Sequence, residues 1–71
     1  MERVVVHPPD RRGWRRVTYG GRDLGMAYQR SDILVFLERA GYENAADVDV
    51  TDESLFEWRG GGPENWVPTP P

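Results

Sequence analysis

The sequence predicts an α+β domain, a small antiparallel sheet of three or four strands with one amphipathic helix packed on one face. Three observations carry that expectation. Two β-like runs meet at Tyr19-Gly20-Gly21-Arg22, whose paired glycines suit a two-residue hairpin turn. The segment SDILVFLERAG (31–41) spaces its apolar residues at a helical period. The run ERVVV (2–6) is β-branched and is stopped by Pro8 and Pro9, as a short strand would be.

The glycine turn dictates a register. Tyr19 faces Arg22, Thr18 faces Asp23 and Val17 faces Leu24; further out, Arg16 faces Gly25, Arg15 faces Met26 and Trp14 faces Ala27. Opposed residues share a sheet face. Val17, Tyr19, Leu24, Met26 and Tyr28 are therefore expected on the core side. Thr18, Asp23, Arg16, Gly25, Trp14 and Ala27 fall on the other side, with Trp14 over the two small residues and Arg16 beside it. A slip of one residue inverts the whole assignment.

In the helix, Ser31 is the expected N-cap and Gly41 the residue beyond the C-terminus. Asp32 early and Arg39 late complement the helix dipole. Ile33, Leu34, Phe36, Leu37 and Ala40 form the apolar stripe, and Val35 falls off it. Residues 42–53 are acidic and read as a loop. SLFEW (54–58) is expected to add a last strand, the rival reading being a short helix capped by Thr51 or Asp52. Residues 1–67 then make one domain, and PTPP (68–71) a disordered proline-rich tail that lacks amide donors at Pro68, Pro70 and Pro71.

A core built from 71 residues rarely supplies more than about 3–5 kcal/mol of stability. No cysteine exists to form a disulfide, and His7 is the sole imidazole, so a structural zinc site lacks ligands. No apolar run approaches a membrane span, and RVVV is too short for a signal peptide. The expected location is the cytoplasm, which an absence of cysteine suits.

Catalytic chemistry is poorly served. There is no lysine, the only serines are Ser31 and Ser54, and His7 is the single candidate base. Asp47, Asp49 and Thr51 alternate as calcium ligands would. The EF-hand pattern then fails, because Asp52 and Trp58 stand where a glycine and a glutamate are needed. The glycines of WRGGGPENW lack phosphate-loop spacing. No enzyme, cofactor or metal site is expected.

What remains is RRGWRR (11–16). Residues 1–30 carry seven arginines and three carboxylates, a net +4, whereas 31–71 carry two arginines and nine carboxylates, a net −7. Tryptophan and arginine are the residues enriched in binding hot spots. Arg12, Trp14 and Arg16 on the hairpin face, with Trp58 and Trp66, are the candidate partner-binding residues of a non-enzymatic interaction or regulatory module. The expected partner is a protein, a second copy of the chain included. The alternative is a nucleic-acid accessory protein that uses the Arg11–Arg16 stretch to hold phosphates while Trp14 stacks on a base. A net charge of −3 weighs against it.

Overall fold

A computed structural model describes residues 2–67, so the tail at 68–71 lies outside the described residues. The elements follow as β1 (Val4–Val6), β2 (Arg15–Tyr19), β3 (Arg22–Ala27), α1 (Arg30–Arg39), a 3-10 turn (Ala45–Asp47) and β4 (Phe56–Trp58). The strands form one sheet in the order β3-β2-β1-β4. The fold is α+β, with α1 against one sheet face. The first three strands are antiparallel, while β4 pairs with β1 in parallel, so the sheet is mixed. The helix accounts for that direction: it carries the chain back across the sheet, and the next strand must then run as β1 and β3 do.

The hairpin forms as the glycines demand. Gly20 and Gly21 have φ of +57° and +81°, and Tyr19 pairs with Arg22 and Thr18 with Asp23. The expected register ends there. A β-bulge leaves Leu24 without a partner, so Val17 pairs with Gly25, Arg16 with Met26 and Arg15 with Ala27. One extra residue sends every later side chain of β3 to the opposite face. Ala27 is therefore fully buried in the core, and Met26 joins Arg16 on the outer face. Tyr28, expected inside, is 58% exposed, while Tyr19 keeps the core-side face opposite Val4 but lies at its rim, 40% exposed. Trp14 does not lie over Gly25 and Ala27.

The bulge is built by two side chains. The Asp23 Oδ1 accepts the Gly25 amide at 3.0 Å, which bridges the extra residue. Gly25, at φ +136°, lets Phe36 approach so closely that a Cβ there would sit 3.1 Å from the ring. A glycine is required at that contact.

Ile33 and Leu37 are the buried residues of α1, and Val35 is exposed as its position predicts. Ala40 is exposed because it is the C-cap, past the last residue that faces the sheet. The N-cap is Gln29, not Ser31: Asp32 reaches back to accept the amides of Tyr28 (2.9 Å) and Gln29 (3.3 Å). An acid at the third helical position thus starts the helix two residues early. At the other end, Tyr42 N–H bonds Leu37 O (2.9 Å) and Gly41 N–H bonds Glu38 O (3.1 Å), a Schellman closure with Gly41 where expected.

Candidate functional site

The face opposite α1 starts at the turn between β1 and β2. Asp10 shapes it: its Oδ1 accepts the amides of Arg12 (2.8 Å) and Trp14 (3.0 Å), while its own amide bonds Trp14 O (2.8 Å). Partial desolvation works to raise the Asp10 carboxyl, but the two amides and the Arg12 charge outweigh it and hold it below its ordinary 3.8. A carboxylate with a depressed folded pKa contributes stability above its unfolded pKa and loses it as pH falls through the folded value. The amide protons of Arg12 and Trp14 are therefore expected to keep their shifts down to about pH 4 and to move below it. In Asp10→Asn, which retains an acceptor oxygen, that transition should vanish while the turn persists. An unchanged acid transition in Asp10→Asn would remove Asp10 from this role.

The turn presents Trp14 with Arg12 and Tyr28 against it. The Arg12 guanidinium carbon lies 3.7 Å from the Trp14 ring centroid, and the Tyr28 ring centroid lies 4.3 Å away at a 39° tilt. Both groups lie within contact distance of the indole ring. Cation–π attraction to Arg12 and aromatic contact with Tyr28 both hold the ring.

Arg12, Trp14, Arg16 and Met26 line a shallow groove of about 350 Å³ together with His7 and Pro8. The His7 ring Nε2 is 2.9 Å from Thr18 Oγ1, and Arg16 pairs with Asp23. Nearer β4, Glu57 accepts from Arg59 and, at 2.8 Å, from Arg3. The Arg59 hydrogen bond leads in holding the Glu57 carboxyl below its ordinary value, against partial desolvation and with help from the Arg59 and Arg3 charges. This uncovered face thus carries apolar and aromatic groups edged by arginines.

RRGWRR does not act as one basic patch. Arg15 is fully buried, on the core side with Val17 and Ala27. All five guanidinium N–H groups donate to main-chain carbonyls, with none to a carboxylate. Nε donates to His7 O (2.8 Å), Nη1 to Gly62 O and Asn65 O (2.9 Å each), and Nη2 to Arg59 O (2.7 Å) and Gly61 O (2.9 Å). Trp58 and Trp66 flank the guanidinium at 5.1 and 5.5 Å and meet edge to face. Their indole N–H groups donate to Val50 O (2.8 Å) and Pro63 O (2.7 Å). Burial lowers the Arg15 pKa, yet a guanidinium stays charged.

The five sequence-predicted residues thus divide. Arg12, Trp14 and Arg16 share the outer groove, while Trp58 and Trp66 belong to the Arg15 cage on the helix side. Arg15, named from sequence only as a partner of Met26 and as part of the Arg11–Arg16 stretch, is the missed residue. The alternation Arg15–Val17 along β2 is the signal that could have placed it inward. In the acidic loop, Asp49 accepts Thr51 N and Oγ1, and Asp52 accepts Ser54 N and Oγ, so these carboxylates close turns. The Thr51 hydroxyl in particular depresses the Asp49 pKa. Among the described residues no group of three or more His, Asp or Glu is placed to hold a metal ion, and no helix is long and apolar enough to cross a membrane. In comparisons with known proteins, no family model matches the chain, and neither a curated protein nor a solved structure matches it.

Proposed function

We propose that the chain is a small non-enzymatic interaction module of the cytoplasm that binds an acidic protein partner through its outer sheet face. The observation that carries the reading is the Arg12–Trp14–Tyr28 stack beside Arg16 and Met26, on the sheet face that α1 leaves uncovered. Stacking on Trp14 and a 3.4 Å ion pair with Asp10 hold the Arg12 guanidinium while its side chain remains 62% exposed, and a guanidinium held in place suits a partner's carboxylate. The apolar body of Met26 and the indole supply the contact area that arginine alone lacks. Trp14 is already in contact with Arg12 and Tyr28, and a net charge of −3 weighs further against a nucleic-acid role.

Immobilised protein is expected to retain a host protein after nuclease treatment, and baits carrying Arg16→Glu or Trp14→Ala should lose it. Solution mass is measured alongside. A dimer that Trp14→Ala dissolves would make the partner a second copy of the chain. Retention of nucleic acid alone, weakening steeply with salt, would replace this reading with the alternative one.

A further inference from the structure

The helix side of the molecule holds a second feature, independent of the outer face. A cleft of about 220 Å³ opens between β1, β4 and the C-terminal end of α1, and a smaller one of about 110 Å³ adjoins it. Tyr19, Leu37 and Tyr42 line both. The larger cleft reaches the core itself, since Leu37 and Phe56, which line it, are only 3% and 2% exposed. A cavity of about 150 Å³ with such walls accepts a benzene ring. This cleft has room for one aromatic ring or a branched alkyl group.

The charges bordering the clefts narrow the occupant. Glu2 lines the larger cleft, with its side chain folded against the Gly20 turn, and Arg22 lines the smaller one. Neither side chain takes part in an ion pair among the described residues. An apolar body along Leu37 between the two tyrosines would thus meet a carboxylate from one cleft and a guanidinium from the other. We propose that the paired clefts bind a small zwitterionic molecule with an apolar ring, the free aromatic amino acids being the simplest members of that class. Its ammonium group faces Glu2, its carboxylate faces Arg22, and its ring enters the larger cleft.

Three probes with the same ring separate the contributions: tryptophan, tryptamine and indole-3-acetate. Binding is followed by methyl shifts of Leu37, Val48 and Leu55. Tryptophan is expected to bind about two- to fivefold more tightly than either single-charge analogue, the range of exposed ion pairs. Glu2→Gln should erase its advantage over indole-3-acetate, and Arg22→Gln its advantage over tryptamine. Val48→Phe, which fills the larger cleft, should abolish binding of all three while the far-ultraviolet spectrum is kept. Both charge variants lie at exposed positions, so the test survives if Val48→Phe does not fold. Equal affinity for the three probes, or shifts confined to residues outside the clefts, overturns the proposal. None of these outcomes bears on the outer face, whose partner is tested separately.

Discussion

Arg15→Met should destabilise the domain by about 3 kcal/mol or more, the largest effect expected of any single substitution here. Methionine fills much of the same volume, so the loss is not one of packing. It removes five donors from the interior and leaves the carbonyls of His7, Arg59, Gly61, Gly62 and Asn65 facing apolar walls. A buried acceptor without a partner costs about 1–3 kcal/mol. The five costs will not sum, because residues 59–65 can swing out and bond water instead. The expected result is a domain whose urea midpoint falls sharply and whose near-ultraviolet signal from Trp58 and Trp66 is lost. Arg15→Lys should recover only part of this, since three donors at one point cannot serve carbonyls arranged around a planar fork. An unfolding free energy within about 0.5 kcal/mol of the parent would show that the carbonyls find other partners at no cost.

Gly60→Ala is expected to cost about 2–4 kcal/mol. Two penalties combine there. The backbone has φ +75°, where a side chain is strained, and the new Cβ would fall 2.6 Å from the Cβ of Pro8 and 3.0 Å from its Cα. A proline ring cannot rotate away, so the loop must lift from the first turn and the Arg59 and Gly61 carbonyls must leave Arg15. Gly41→Ala is the control. Its φ is +88° but nothing lies within 4 Å, so only the backbone penalty of about 1 kcal/mol applies. Equal thermal midpoints for the two variants would remove the Pro8 contact from the account.

How far local rules reach is visible in these same residues. The Gly20-Gly21 turn, the closure at Gly41 and the exposure of Val35 each depend on a few neighbouring residues, and each is readable from the chain. The register of β3 is not, because a glycine turn governs pairing only as far as the next irregularity. Nothing in Arg22–Ala27 announces a bulge except a glycine with several other possible uses. The parallel course of β4 depends on how α1 crosses the sheet, which periodicity does not contain. Arg12, Trp14 and Arg16 share the outer groove. Trp58 and Trp66 were placed with them because tryptophan beside arginine suggests a binding surface, and the arginine they serve lies inside. The sequence offers Arg15 only as one charge of the Arg11–Arg16 stretch; four of its five acceptors come from residues 59–65, distant in the chain.

That distance has a kinetic consequence. The four cage bonds from Arg15 to residues 59–65 span 44 to 50 positions, and Val4 pairs with Phe56 across a similar gap. The β2–β3 hairpin and α1, by contrast, close within a few residues. Short loops form first because closing long ones costs more entropy. The hairpin and helix are therefore expected to assemble early, with one edge of β1 open until β4 pairs with it. Changes at Trp58 or Gly60 then act on the rate of unfolding far more than on the rate of folding. A clamp closed last is expected to open first, so the native lifetime of the domain should shorten in Arg15 and Gly60 variants while their refolding rates change little, which stopped-flow unfolding and refolding would check.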